Sequence, residues 1–396
     1  MLGILLMNIV AFAMPMAAYQ DPSAYGGDHG PDLLAWALAF AIADGKMRGL
    51  FTLLFGVSLL IMTDRFEDGA EAARAHYRRM AALLLIGLIH AWGIWYGDIL
   101  VEYAVAGCLL FVARSWPPSA LLYAAVVLTL VDIGMAVDLW WGLARLQAEV
   151  TAGGATADDL ALWQSIGEAE AAGIARDLTL YGGGWGDVAL ARWQDALRLQ
   201  ANIPFFLVGT VGLALLGMAL HRWGYFTGWS RRRHGAIILL GYGVALPLTI
   251  LPIRWQIDTG FDPASRAVAD LWTLALRPPI LLAHASAIVL VARARVTAAL
   301  AGLLAATGRM ALSNYLATSL ICTTIFYGPG LGLYGELPRA TLYAIVAGIC
   351  VAIPIASRLW LARFAQGPAE WLWRSIARGT LQKMRHPKNA TNGYCD

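Results

Sequence analysis

Long apolar runs, separated by short polar or glycine-containing breaks, set the pattern of this chain. A helix needs roughly 20 apolar residues to cross about 30 Å of hydrocarbon. Most of the runs have this length and show no polar face, which is typical of helices that lipid surrounds. The pattern predicts about ten transmembrane helices, over residues 2–18, 47–63, 80–96, 98–114, 117–140, 203–222, 234–254, 270–292, 306–327 and 339–361.

Two segments outside these spans also carry helical patterns. Residues 33–45 are apolar until charges interrupt them, which predicts either an interfacial helix or the first turns of a longer second span. Residues 142–202, between the fifth and sixth spans, are predicted to lie outside the membrane. Their alanine-rich stretches, 157–178 and 187–200, predict two helices that cap the outer face, with a hinge at 182–184. The alternative is a flexible, solvated loop.

The composition agrees with a membrane protein. Hydrophobic residues make up 59% of the chain and charged residues 14%, against roughly 45–50% and about 25% in soluble domains. The net charge of +3 and the lack of a basic domain exclude a nucleic-acid partner. The four cysteines form no CxxC motif, so neither a metal site nor a disulfide framework is indicated. We therefore predict an all-α, polytopic membrane protein over residues 1–361, with the lipid bilayer as its partner.

The distribution of basic residues predicts the orientation, because lysine and arginine accumulate in cytoplasmic loops. With the N-terminus in the cytoplasm, most of the 29 lysines and arginines fall on the inner side, among them the cluster 231–233. The C-terminal tail, residues 362–396, is then cytoplasmic and carries further basic residues such as Lys388. This pattern predicts a bacterial inner membrane protein. The oligomeric state stays open.

Ionisable residues inside predicted spans are candidates for function, since each costs at least about 2.5–3.5 kcal/mol at the centre of a helix. His90 lies in the third span, and Asp98 and Glu102 begin the fourth. The spacing of the two carboxylates predicts that they share one helix face. We expect His90 to approach Asp98 only through water or a third group. His90 either handles protons or is a neutral histidine bonded to a carbonyl.

Other polar residues carry weaker signals. His284 lies in the middle of the eighth span with no charged neighbour in the sequence, which predicts a structural role. Asp132 is deep enough in the fifth span to need a partner, whereas Asp138 is expected to reach the interface. His29 stands in an accessible loop rich in glycine and aspartate. It is either catalytic or an ordinary exposed histidine.

Charges at two helix ends also stand out. Asp44, Lys46 and Arg48 lie at the outer mouth of the second span, and the two cations there oppose the positive-inside trend, which favours a functional or pairing role. Near the inner end of the ninth span, Arg309 either binds phosphate bidentately or is a snorkelling anchor. Asn314, which follows it, carries polar atoms into the membrane, as does its neighbour Tyr315.

Four blocks of sequence resemble the YeiB-like membrane proteins, a family catalogued as domain of unknown function 418. The blocks follow the family's order and spread over most of the chain. The chain begins at Met1 without the family's usual acidic and basic lead-in, so no role of that segment carries over. The blocks are Arg48-Gly-Leu-Phe-Thr-Leu-Leu-Phe-Gly56; Leu85-Ile-Gly-Leu-Ile-His90 with Trp95-Tyr-Gly-Asp-Ile-Leu-Val-Glu-Tyr-Ala104; Gly308-Arg-Met-Ala-Leu-Ser-Asn-Tyr315 with Phe326-Tyr-Gly-Pro-Gly-Leu-Gly-Leu333; and Gly367-Pro-Ala-Glu-Trp-Leu-Trp-Arg374.

The family in turn is distantly similar to transmembrane acyltransferases of the heparan-glucosaminide acetyltransferase type. Those enzymes move an acyl group from cytoplasmic acyl-CoA to an acceptor on the far side of the membrane. Asn8 and the run from Asp44 to Ser58 resemble the opening pattern of that group. Its catalytic histidine lies in the outer loop after the first helix, where this chain offers His29.

The resemblance implies an acyltransferase that acts on an envelope or lipid-linked glycan or lipid. In this hypothesis His90 or His29 is the general base, oriented by Asp98 or Asp44. The donor is acyl-CoA, and no cofactor is bound tightly. A proton-coupled transporter with His90, Asp98 and Glu102 as a relay, and a non-catalytic membrane scaffold, remain as alternatives. The donor's phosphates would meet a cytoplasmic group of residues: Arg309, Arg78, Arg79, Asn314 and Tyr315.

Overall fold

The computed structural model describes residues 2–385, apart from the side chain of Arg295. Lys388 and Cys395 lie outside the described residues. The described part of the chain is all-α; one isolated bridge between Phe364 and Arg385 is its only β-type pairing. The helices are α1 (Leu2–Ala13), α2 (Ala17–Gln20), α3 (Gly30–Ile42), α4 (Lys46–Thr63), α5 (Gly69–Gly93), α6 (Leu100–Leu110), α7 (Pro118–Thr151), α8 (Ala157–Tyr181), α9 (Trp185–Ala201), α10 (Ile203–Arg222), α11 (Arg231–Leu240), α12 (Leu246–Leu248), α13 (Ile250–Asp258), α14 (Pro263–Arg293), α15 (Ala298–Arg309), α16 (Ala311–Phe326), α17 (Arg339–Leu361) and α18 (Pro368–Arg378).

Six helical segments of the described chain are long and apolar enough to cross a membrane. Three further apolar helices, α1, α15 and α16, are shorter. Together they confirm an all-α polytopic membrane protein, while the count of ten spans stays a prediction. The six segments are Gly30–Thr63, Pro118–Thr151, Ile203–Arg222, Arg231–Asp258, Pro263–Arg293 and Arg339–Leu361.

Several helix ends differ from the sequence prediction. The first span stops at Ala13 rather than residue 18, because Pro15 disfavours helical geometry in the residue before it. The fifth continues as α7 to Thr151. The predicted ninth span, residues 306–327, is two helices, because Met310 leaves the helical conformation between α15 and α16. Most of residues 33–45 belong to α3, which with α4 makes one apolar segment long enough to cross a membrane; whether α3 is an interfacial helix or part of a longer second span stays a prediction.

Helix α10 lies at the centre of the bundle and packs against α4, α6 and α7. Where α10 crosses α4, each of the two helices has a glycine at the contact. A Cβ on Gly217 would lie 2.1 Å from the Leu53 carbonyl oxygen, and a Cβ on Gly56 would lie 2.1 Å from the Ala214 carbonyl oxygen. The two backbones therefore touch directly. Close approach through small residues is the main way in which helices associate in lipid, where the hydrophobic effect gives no drive.

The predicted cap is a pair of packed helices, α8 and α9, which meet at the glycines 182–184. Three contacts tie the pair to the rest of the chain, so the flexible loop is the wrong alternative for this segment. Asp177 accepts from the Met16 amide (3.1 Å), Arg266 of α14 pairs with Glu170 (2.8 Å), and Arg192 donates to a backbone carbonyl of α5 (2.8 Å). That the cap lies outside the membrane remains a prediction.

The segment assigned to the tail contains a docked helix, α18, which packs against α5 and α16. Glu370 accepts from the amides of Leu312 (2.6 Å) and Ser313 (3.1 Å). These amides lie at the start of α16, where backbone N–H groups have no partner within the helix. Trp373 donates to the Arg79 carbonyl (2.9 Å) and stacks on its guanidinium. Glu370 thus caps the helix end that the break at Met310 creates.

The crossing of α4 and α10 gives a direct test. Gly217→Ala should lower the free energy of unfolding by about 1–3 kcal/mol, because the added methyl group forces two backbones apart. The matched control is Gly134→Ala on α7, where a Cβ would meet nothing within 4 Å. Reversible unfolding in lipid–detergent micelles measures both. Equal stabilities of the two variants would contradict the packing described here.

Candidate functional site

His90 and Asp98 form the centre of the candidate site. The Nδ1 atom of His90 lies 2.7 Å from an Asp98 carboxylate oxygen, and both side chains are almost fully buried. The other carboxylate oxygen accepts from the Val101 amide (2.9 Å) at the start of α6. The expectation that water or a third group separates the pair was wrong. The turn after α5 folds back tightly, and Gly87, one turn before His90, leaves room for α6.

The hydrogen bonds assign the tautomer of His90. The carboxylate of Asp98 accepts, so Nδ1 carries a proton, and in a neutral ring the lone pair is then on Nε2. Nε2 is buried and has no partner among the described residues. A histidine that is oriented by a carboxylate at Nδ1 and free at Nε2 is the arrangement of the general base in Ser-His-Asp hydrolases. The site can therefore accept a proton at a defined atom.

Aromatic rings enclose the free nitrogen. The Tyr315 ring lies 4.9 Å from the His90 ring, and Trp95 lies 6.3 Å away on another side. Trp95 in turn stacks on Phe12 of α1 at 3.9 Å. Phe12 and Tyr315 also line a small cavity between α1 and α16, together with Asn8. Its volume of about 20 Å³ is enough for a single water-sized group.

Glu102 does not join this pair. Helix α6 begins at Leu100, so Asp98 precedes it and the predicted common helix face of the two carboxylates does not form. Glu102 is buried and accepts from Thr210 of α10, and its second oxygen lies 3.7 Å from an Arg48 nitrogen. The two acids therefore bond to different helices, and the relay from His90 through Asp98 to Glu102 stays a prediction.

His29 and Asp44 have other partners than predicted. His29 is fully exposed, and its Nδ1 pairs with Asp28 at 2.8 Å. That hydrogen bond raises the pKa of His29 above its ordinary value. Asp44 accepts from the Tyr19 hydroxyl (3.2 Å) instead of orienting a histidine. The pairing of Asp44 with a catalytic histidine was wrong, because α3 separates it from His29 and Asp98 already holds His90.

The predicted donor residues divide into two groups. Arg309 at the end of α15 and Arg78 within α5 are both exposed, and their role as phosphate contacts stays a prediction. Arg79 holds α18 through Trp373. Asn314 is buried and bonds to Thr307 and Ser357, which fixes the break between α15 and α16. Tyr315, also buried, accepts from the Ile99 amide (3.3 Å) beside His90. The structure thus separates Asn314 and Tyr315 from the exposed arginines.

Two further polar residues of the predicted spans, His284 and Asp132, have partners inside the protein. Both nitrogens of His284 have partners, the Tyr242 hydroxyl (2.6 Å) and the Ile42 carbonyl (3.0 Å), as a structural histidine requires. Asp132 has its predicted partner, Arg277 of α14, at 3.3 Å, while Asp138 is exposed. Among the described residues, no group of three or more His, Cys, Asp or Glu side chains could hold a metal ion.

Two residues of this region were missed in the sequence. Arg277 stands inside the predicted eighth span, and the rule that intramembrane charges are functional could have found it. Glu370 gave no such signal, because it follows the last predicted span. Its block, residues 367–374, bonds directly to the block 308–315 through Ser313. The motif blocks are distant in the sequence but adjacent in the fold.

Fold and site together define a multi-pass, all-α membrane protein with a buried histidine–carboxylate pair. The model of a family described as a protein of unknown function, DUF418, matches residues 220–380. The chain is 33% identical over 394 residues to the uncharacterized protein YeiB of Escherichia coli K12, covering 95% of this chain and 92% of that protein. The chain therefore belongs to the YeiB-like DUF418 family.

A second relative is the uncharacterized protein YxaH of Bacillus subtilis 168, which is 31% identical over 344 residues. The alignment covers 82% of this chain and 77% of that protein. No solved structure matches the chain. The sequence therefore establishes family membership over almost the whole chain.

Replacing Asp98 tests the pair. Asp98→Asn should lower the free energy of unfolding by about 1–3 kcal/mol, because the amide group cannot accept from both His90 and Val101 and so leaves a buried donor unpaired. The exposed Asp138→Asn is the control and should stay within about 0.5 kcal/mol of wild type. Chemical denaturation in micelles measures both. A wild-type stability for Asp98→Asn would show that the pair is not formed.

Proposed function

We propose that this protein is a transmembrane acyltransferase in which His90 is the general base. The observation that carries the proposal is the hydrogen bond between His90 and Asp98, which leaves Nε2 without a partner. Histidines held in this way by a carboxylate take a proton from a hydroxyl and return it to a leaving group. A positioned base contributes about 10²–10⁴-fold in rate.

The proposed reaction needs no cofactor beyond its donor. The acceptor hydroxyl gives its proton to Nε2 of His90 as its oxygen attacks the thioester carbonyl of acyl-CoA. The carbon–sulfur bond breaks, and the CoA sulfur leaves as the thiol after taking the proton back from the imidazolium. Asp98 stabilises the imidazolium between the two steps, because its carboxylate stays hydrogen-bonded to Nδ1.

The donor would approach from the cytoplasm. We place the chain in the bacterial plasma membrane with a cytoplasmic C-terminus, which the positive-inside pattern and two bacterial relatives support. Arg309 and Arg78 are then exposed on the inner side and would bind the phosphates of CoA. The acceptor would be an envelope glycan or lipid with a free hydroxyl or amine.

Access to His90 would run along the seam between α1 and α16. His90 is almost fully buried, and the small cavity lined by its neighbour Tyr315 holds only one water-sized group. Helix α1 is short and ends before Pro15, so its position depends on side-chain packing such as the stack of Phe12 on Trp95. Movement of α1 away from Tyr315 would open the cavity toward Nε2.

Turnover of acyl-CoA by the purified chain tests the proposal. The protein in nanodiscs is given acetyl-CoA or palmitoyl-CoA with an envelope extract as acceptor, and the CoA thiol released is measured. His90→Gln should lower the rate about 10²–10⁴-fold. His284→Gln is the matched control, since that histidine is equally intramembrane but has partners on both nitrogens.

Two results would contradict acyl transfer. One is a folded wild type that releases no CoA thiol with either donor. The other is His90→Gln with the wild-type rate. Arg309→Ala should weaken acyl-CoA binding and leave folding intact, because its side chain is exposed.

The burial of His90 and Asp98 favours a second candidate, proton-coupled transport. A pair without access to either side is suited to carry a proton between two states of a transporter. This candidate requires solute uptake that follows a pH gradient in proteoliposomes without acyl-CoA. Uptake that survives His90→Gln would exclude it, and CoA release without such uptake would favour the acyltransferase.

A further inference from the structure

A second group of charges lies where α4, α6, α7 and α14 meet. Arg48 stands 3.7 Å from Glu102, and Arg277 donates to Asp132 at 3.3 Å. All four belong to helices of the predicted membrane-spanning region. Charges at this depth face the protein interior and mark substrate or ion pathways, because lipid cannot solvate them. The acyl transfer proposed above uses none of these residues.

The arginine at the centre of this group is only partly satisfied. Arg277 carries five N–H donors, and its hydrogen bond to Asp132 is the only one that it forms among the described residues. Its side chain is 9% exposed, and Nε is buried with no partner. The hydroxyl of Thr273 is buried and without a partner as well. Buried donors in a native protein normally have acceptors.

The side chains of Thr273 and Arg277 both lie against Gly45, the residue that precedes α4. Thr273 and Arg277 are one helical turn apart on α14. A Cβ on Gly45 would lie 3.3 Å from Cδ of Arg277 and 3.5 Å from Cγ2 of Thr273. Gly45 has a φ of +64°, a conformation that other residues rarely adopt. On the other side, a Cβ on Gly209 would lie 3.5 Å from an Arg277 nitrogen. A side chain at Gly45 would crowd Arg277, and one at Gly209 would crowd its partner Asp132.

Three basic side chains, Arg48, Arg277 and Lys46, lie in this region with three acidic ones: Glu102, Asp132 and Asp44. Arg48 and Arg277 are close enough to repel each other, and Lys46 adds to the charge around Arg277. Lys46 is fully buried, and its ammonium group donates to the Phe40 carbonyl rather than to an acid. Arg48 is 39% exposed, whereas its partner Glu102 is 7% exposed. Arg48 therefore has the most exposed side chain of the four residues in the two ion pairs.

We propose that Arg48, Arg277 and Thr273 bind a phosphate group, which enters past Arg48. Two guanidinium groups and a hydroxyl offer the donors that several phosphate oxygens need, and arginine binds phosphate bidentately. The bound phosphate belongs either to a lipid headgroup or to a soluble phosphate compound. The site does not depend on acyl transfer, since it uses other residues and would serve a transported or a modified substrate equally.

Ligand-dependent stability of the full chain tests this site. The protein is placed in phosphatidylcholine nanodiscs, and its melting temperature is followed as inorganic phosphate is added. A second arm replaces part of the phosphatidylcholine with phosphatidylglycerol. A ligand that binds the folded state raises its stability in proportion to the logarithm of ligand concentration above Kd. The melting temperature of wild type should rise in at least one arm and keep rising with the logarithm of ligand concentration above Kd.

The test variant replaces both members of the Arg277–Asp132 pair, so that no buried carboxylate is left without a partner. Arg277→Gln with Asp132→Asn should raise the apparent Kd about tenfold or more, the scale of a lost charged hydrogen bond. The matched control is Arg254→Gln with Asp258→Asn, an exposed pair on α13 with the same change of charge. It should keep the wild-type response.

Each result decides the proposal. A response to phosphate alone that the Arg277 variant loses assigns a soluble ligand, and a response to phosphatidylglycerol alone assigns a lipid headgroup. The proposal is wrong if folded wild type responds in neither arm. It is also wrong if the Arg277 and Arg254 variants respond alike, because the binding would then lie elsewhere on the surface.

Discussion

An ionisable side chain within hydrocarbon must find its partner inside the protein, and this constraint connects the helices of the fold. Asp98 joins His90 at the end of α5 to the start of α6. Asp132 joins α7 to α14 through Arg277. Glu370 joins α18 to the start of α16. Each of these contacts pairs a polar group that lipid cannot solvate. Each therefore fixes the positions of two helices relative to one another.

The same contacts explain why distant blocks of sequence resemble one family. The block around Gly308 meets the block around Gly367 through Ser313 and Glu370. Tyr315 of the first block packs on His90 of a third. The fourth block contributes Thr52, whose hydroxyl bonds to Tyr103. Four segments that are scattered along the chain thus form one continuous region beside the His90–Asp98 pair, and the candidate chemistry lies within it.

The bounds of a helix are predicted best from the sequence where the helix follows one uninterrupted apolar run. The bounds of α10 and α17 agree with the predicted spans 203–222 and 339–361, because polar or proline residues delimit both runs. The break at Met310 was not predictable, since methionine gives no helix-stop signal and the contacts at the break come partly from Glu370, 60 residues further along the chain. The direct bond between His90 and Asp98 was missed for a similar reason: it depends on how tightly two helices turn. Periodicity carries no information on that distance.

The central claim is that Nε2 of His90 faces the reacting group of an acyl donor. A structure of the full chain in nanodiscs with a non-hydrolysable acyl-CoA analogue tests it most directly. The account predicts that the carbon replacing the thioester carbonyl lies close enough to Nε2 for a single acceptor hydroxyl to fit between them. The hydroxyl oxygen would then be about 3 Å from Nε2, within reach of proton transfer. The CoA phosphates should lie at Arg309 and Arg78. An analogue bound elsewhere, with His90 still enclosed by Tyr315 and Trp95, would contradict the claim.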